Sequence, residues 1–151
     1  MTKKTLLASF VAATVSSLVA SGALADPIIA YEVENLAIVK SLTGTPGDPA
    51  KGRQVAINRK KGNCLGCHVL PIPEQPFHGN VGPPLTGVAS RLSAAQLRLR
   101  IVDPKAVNPT TIMPSFYKAA GFERVMKKFQ GKTVLTAQEV EDVVAYLMTL
   151  K

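Results

Sequence analysis

The sequence predicts an all-α fold. Two segments combine a capping box with apolar residues at helical spacing, and a third opens on an Asp-Pro pair suited to a helix start. The stretches between them are rich in proline and glycine and contain no convincing strand.

In chain order, Met1-Thr2-Lys3-Lys4 is a short basic region, Leu6 to Val19 is largely apolar, and Ala23-Leu24-Ala25 is an A-x-A cleavage site. That pattern is a secretory signal peptide over residues 1–25, with Asp26 the first mature residue. The interrupted apolar run ending in small residues favours cleavage over a retained anchor. No later segment approaches the ~20 apolar residues that span a bilayer, so no membrane span is expected in the mature chain. Residues 26–47 read as an N-terminal extension with a short helix, from the periodic Ile28, Ile29, Tyr31, Val33, Leu36, Val39 and Leu42. Thr43 to Gly47 break it.

Residues 48–151 form the main domain. Asp48 caps and Pro49 opens a helix running to about Arg59. Gly52 inside it costs helix stability and calls for a reason, such as the close approach of another helix. Pro71 to Pro84 is a long loop. Ser93 and Gln96 cap a helix that reaches Val102, and Pro104 ends it. Asn108 to Ser115 is a second loop, and Phe116 to Phe129 reads as a short helix with a reversal near Gly131. Thr136 and Glu139 cap the clearest helix, ending at Leu150, with Val140, Val143, Val144, Leu147 and Leu150 on one face.

Between the first helix and the first loop lies Cys64-Leu65-Gly66-Cys67-His68, a C-x-x-C-H run. This is the attachment signature of a c-type haem. The two thiols are spaced to form thioethers with the two vinyl groups of one porphyrin, and His68 follows in place to ligate the iron. A zinc site would want four ligands, and the adjacent Cys67 and His68 are poorly placed to share one ion. A thioredoxin-like dithiol would want a βαβ opening that is absent. The chain's two cysteines are thus both assigned to one haem c, and an exported chain fits attachment in the bacterial periplasm. A buried porphyrin would also enlarge the modest core of so small a chain and couple folding to haem binding.

Without Lys3 and Lys4, 16 basic residues stand against 10 acidic ones, a net charge of +6. That suits steering toward an acidic partner, and equally a solvated surface. Few aromatics, no basic helix and export argue against nucleic acid. An electron carrier needs the sixth iron position filled, and the candidates are Met113, Met126, Met148 and His78. Met113 is preferred: it lies in a loop bracketed by Pro109 and Pro114, far enough past His68 for the chain to travel round the porphyrin, and a His/Met pair raises the potential. Met148 suits core filling on the last helix, Met126 sits beside Lys127 and Lys128, and His78 reads as a polar loop residue.

With Cys64, Cys67 and His68, the segment Gly82-Pro83-Pro84-Leu85, the pair Met113-Pro114 and the ending Val144-Ala145-Tyr146-Leu147, the chain resembles the class I cytochromes c. The resemblance implies a helical fold wrapped around one covalently bound haem, Gly52 packed on Tyr146, and Pro83 or Pro84 beside the proximal histidine. It implies iron ligation by His68 and Met113. Gly62-Asn63 before the haem motif, Gly79-Asn80-Val81 before Gly82, and Ile112 to Tyr117 further resemble the SoxX family, the small monohaem subunits of SoxAX complexes. That narrower resemblance implies an electron-transfer role in a periplasmic L-cysteine S-thiosulfotransferase, where thiosulfate is joined oxidatively to a cysteine of a SoxYZ-type carrier protein. A SoxA-type haem-bearing cytochrome subunit would hold the active site, and a soluble cytochrome c would accept the electrons. With no third cysteine, no catalytic residue is assigned in this chain and no activity is expected of it alone. The alternatives are a free-standing electron carrier and a haem enzyme or sensor with an open iron site.

Overall fold

The computed structural model describes residues 28–151, so the expected signal peptide lies outside the described residues. Three α-helices are present among them: α1 (Pro49–Ile57), α2 (Ala94–Val102) and α3 (Ala137–Met148). Single 3-10 turns lie at Cys64–Gly66, Val88–Ser90, Pro104–Ala106 and Lys127–Phe129. Among the described residues there is no strand, only an isolated bridge between Glu34 and Ala37.

The helix starts follow the expected chemistry. The Asp48 carboxylate accepts from the N–H groups of Ala50 and Lys51, and Pro49 occupies the first turn. Both capping boxes form, Ser93 with Gln96 and Thr136 with Glu139. Helix α3 packs on α1 and α2, and Leu99, Val102 and Val140 between them are fully buried.

The α1–α3 contact is a backbone approach. A Cβ on Gly52 would stand 1.9 Å from the Asp142 carbonyl oxygen, and one on Gly47 would stand 2.1 Å from that of Glu141. The helix penalty at Gly52 is the condition for this packing. Its nearest neighbour is the Asp142 carbonyl, one turn before the buried Tyr146 named by the family resemblance.

Two expected helices do not form. Residues 28–47 are an irregular strap with a left-handed turn at Asn35 and Leu36. Its backbone donors go to tertiary partners instead: Ile29 N–H to the Tyr117 hydroxyl, Ile38 N–H to the Ala95 carbonyl, and Leu42 N–H to the Glu141 carboxylate. Residues 116–129 form a loop with only the turn at Lys127–Phe129, and positive φ at Gly121 and Arg124 interrupts any helix.

A buried ion pair joins these layers. Arg98 of α2 donates from Nε and one terminal nitrogen to the two oxygens of Glu141 on α3, at 2.8 and 2.9 Å. Its other terminal nitrogen donates to the Ile38 carbonyl at 2.7 Å. Neither partner was singled out by apolar periodicity, because both sit on faces that read as polar. Removing one member of such a pair strands the other charge in the core. Glu141→Ala is therefore expected to destabilise the fold by about 3–5 kcal/mol, seen as a lowered urea midpoint; a loss under about 1 kcal/mol would contradict this.

Candidate haem-binding site

A cavity of about 390 Å³ opens between α2, α3 and the loops, within the ~300–1,000 Å³ range of cofactor sites. Its walls are mainly apolar. Leu97 and Ile101 come from α2, Val143 and Leu147 from α3, and Leu85 and Phe116 from the loops. Of the four site residues expected from the sequence, Cys64, His68 and Met113 line it. Cys67 is exposed and lies outside the lining.

His68 is held from behind. Segment 79–85 runs along the haem motif through Gly79 N–H to Leu65 O, Gly82 N–H to Cys67 O and Leu85 N–H to Val69 O. The Pro83 carbonyl lies 2.7 Å from His68 Nδ1. A carbonyl only accepts, so Nδ1 carries the proton and Nε2 keeps its lone pair for a metal. A Cβ on Gly82 would sit 2.3 Å from His68 Cε1, so only glycine lets the segment back the ring this closely. Arg91 steadies the same segment by donating to the Thr86 and Pro84 carbonyls. Pro83 thus occupies the place that the resemblance implied for it.

Cys64 begins the 3-10 turn, and Leu65 within it is buried. Burial pushes the Cys64 thiol up to about 11, with a smaller contribution in the same direction from Cys67. At neutral pH Cys64 is therefore an un-ionised thiol, which argues against a nucleophilic thiolate there.

Met113 lies on a loop clamped at both ends. Lys105 Nζ donates to the Thr111 carbonyl at 2.8 Å, and Met113 N–H donates to the Thr111 hydroxyl. Beyond Pro114, the Ser115 hydroxyl donates to Asp103 at 3.0 Å, Lys118 Nζ donates to the same carboxylate at 2.8 Å, and Phe116 N–H donates to the Ile101 carbonyl. The residues that position the loop are thus at the end of α2. Burial pushes the Asp103 carboxyl up, but hydrogen bonds from Lys118 and Ser115 outweigh it and hold the carboxyl below its ordinary value. The same hydrogen bond raises Lys118 against a smaller opposing effect of burial.

A depressed carboxyl stabilises the fold fully above its unfolded value and loses that contribution as pH falls through the folded one. A raised lysine keeps its contribution below its unfolded value and loses it as pH rises through the folded one. The stability gap between the wild type and Asp103→Asn is thus expected to be flat from about pH 5 to 9 and to close below about pH 4. Urea titrations across pH check this, and a gap that widens in acid would contradict it.

The other ligand candidates fall elsewhere. Met126 is exposed, and Met148 packs at the edge of the core outside this cavity. His78 Nδ1 accepts from the Leu70 N–H, its Nε2 is buried without a partner, and the ring does not line the cavity. Arg91 and Arg100 do line it, and the sequence reading missed both. Among the described residues no three metal-binding side chains cluster. The residues present fit a haem: an apolar slot, a thiol at its wall, an imidazole with its Nε2 lone pair free, a thioether, and two guanidinium groups to meet the propionates.

The family model described as Cytochrome c matches residues 49–151. Among solved structures, SoxXA from P. pantotrophus is 40% identical with a TM-score of 0.75, over 80% of this chain and 94% of that one. The c-type cytochrome SorU from Sinorhizobium meliloti is 24% identical with a TM-score of 0.44, over 68% of this chain and 88% of that one. No curated protein matches.

Proposed function

Since the chain belongs to the cytochrome c family, on its SoxX branch, we propose that it is the monohaem electron-transfer subunit of a periplasmic SoxAX-type L-cysteine S-thiosulfotransferase. The observation that carries this reading is the placement of His68 and Met113 on one apolar cavity, with the His68 tautomer set by the Pro83 carbonyl. When bound, the haem would supply a one-electron redox centre, its potential tuned by the iron's protein ligands. Cys64 and Cys67 would tether it, His68 and Met113 would hold its iron, and Arg91 and Arg100 would balance its carboxylates. The clamps on the histidine and methionine loops limit rearrangement when the charge at the centre changes.

The reaction itself belongs to a SoxA-type haem-bearing subunit, since this chain has no cysteine beyond the two that tether the haem. Electrons released when thiosulfate is joined to a SoxYZ-type carrier cysteine pass through this subunit to a soluble cytochrome c. The rim beside Cys67 suits a lasting partner: Phe77 and Val81 are 81% and 63% exposed, and Val69 is also exposed. Glu74, the one charged residue in 67–85, is paired with Arg53. An uncharged apolar rim is typical of obligate contacts. Residues 1–25 act as a cleaved export signal, and no helix among the described residues is long and apolar enough to cross a membrane.

The test is a pull-down of the tagged, exported protein followed by haem staining. A larger haem-bearing cytochrome is expected to come with it, and thiosulfate-dependent activity is expected only in the mixture. Recovery of a monomer alone, with no activity gained on adding that cytochrome, would return the chain to a free-standing carrier.

A further inference from the structure

Residues 119–134 form a lobe that the site does not use. The chain leaves the core after the buried Tyr117 and the paired Lys118 and returns to it, with the Val134 and Leu135 N–H groups both donating to the Phe116 carbonyl, at 3.0 and 2.9 Å. Inside the lobe the bonds are local: Phe129 N–H to Met126 O, Lys132 N–H to Phe129 O, and Gln130 Nε2 to Val125 O. Its large apolar side chains face outward, with Phe122, Met126, Phe129 and Val134 at 44%, 62%, 54% and 49% exposure. Four basic residues stand against a single acid, Glu123, and none of the four is in an ion pair. Lys128 covers the Phe129 ring, 4.8 Å from its centroid.

No other described segment combines these features. The stretch 51–61 is as basic, but three of its five cations are paired and it exposes no large apolar side chain. The rim at Val69, Phe77 and Val81 is apolar but carries no unpaired charge. Exposed aromatic and methionine side chains set among free cations match the anchors and steering charges of a transient protein interface. The lobe also adjoins the cavity, because Phe116, whose carbonyl closes it, is a cavity wall.

We propose that lobe 119–134 docks an acidic redox protein that exchanges electrons with this subunit by one-electron transfer, separately from the apolar rim that seats the lasting partner. This rests on the electron-transfer reading above. An acidic protein is favoured over an anionic membrane because the lobe is folded on its own hydrogen bonds around a small depression bordered by Phe122, Val125 and Arg124. A preformed concave seat suits a protein side chain.

The experiment uses the reduced holoprotein and, as probe, an oxidised acidic c-type cytochrome in stopped-flow mixing, with a neutral small-molecule oxidant in parallel. The rate constant with the acidic cytochrome is expected to fall steeply with salt. Lys127→Glu with Lys128→Glu is expected to lower it about tenfold at low salt, through lost steering. Phe122→Ser with Phe129→Ser is expected to weaken saturation while keeping the salt slope. Arg59→Glu with Lys60→Glu makes the same charge change outside the lobe and is expected to have little effect. All variants should react normally with the small oxidant. Equal losses from the Arg59/Lys60 and lobe charge variants would overturn the proposal, because net charge would then suffice. So would lobe variants that leave the cytochrome rate unchanged but abolish sedimentation with phosphatidylglycerol vesicles, which would make the occupant a membrane. Failure of even the wild type to reduce the small oxidant would instead sink the electron-transfer reading itself.

Discussion

Replacing Cys64 and Cys67 together with alanine is expected to abolish covalent haem attachment and, with it, most of the folded protein. The chain has no other thiol to tether the group. The energetic consequence follows from the cavity: without the porphyrin its apolar walls, among them Leu97, Ile101, Val143, Leu147 and Phe116, would face solvent instead of an apolar partner. A denaturing gel stained for haem and a circular dichroism spectrum of the exported variant check both parts. A folded, haem-staining double variant would refute the assignment of these thiols. A single Cys67→Ala change is expected to keep a weaker stained band through Cys64, the thiol that lines the cavity.

Met113→Ala is the second large effect. The covalent haem should remain, since the tether is untouched. The potential is expected to fall by on the order of a hundred millivolts or more, given that axial ligands tune haem potentials over about 0.8 V. The iron should become open to exogenous ligands such as imidazole. Spectroelectrochemical titration reads the first change, and the loss of the weak far-red charge-transfer band of the oxidised protein reads the second. The clamp on this loop sharpens the expectation: with Thr111, Ser115 and Phe116 all bonded to other segments, the loop cannot readily supply a substitute ligand. An unchanged spectrum would assign the sixth position to another group.

The parts of the fold legible in the sequence were those with local chemistry. Asp48-Pro49, Ser93 with Gln96, and Thr136 with Glu139 place three helix starts, and each cap forms. The expected helix at 28–42 fails because its backbone donors go to tertiary partners, and the one at 116–129 because positive φ at Gly121 and Arg124 breaks it. Ile38 and Leu42 turn into the core while Leu36 and Val39 face out, a pattern that no helix period separates from chance. At the site, the C-x-x-C-H run and the methionine between prolines could be singled out because their residue types carry the chemistry. What holds them could not. The Pro83 carbonyl on His68, the carboxylate of Asp103 on the methionine loop and the Arg98–Glu141 pair join residues 12 to 43 positions apart. Gly82 stood out only as part of the Gly82-Pro83-Pro84-Leu85 resemblance, and its role appears when the imidazole is seen against the place a Cβ would take.

The most direct check on the central claim is extraction of the purified, exported protein with acidified organic solvent, followed by an intact-mass measurement. The pigment should stay in the protein fraction, and the mass should exceed that of the polypeptide by one haem. Pigment passing into the solvent, with the bare polypeptide mass left behind, would contradict a thioether-tethered haem at Cys64 and Cys67 and the electron-transfer reading built on it.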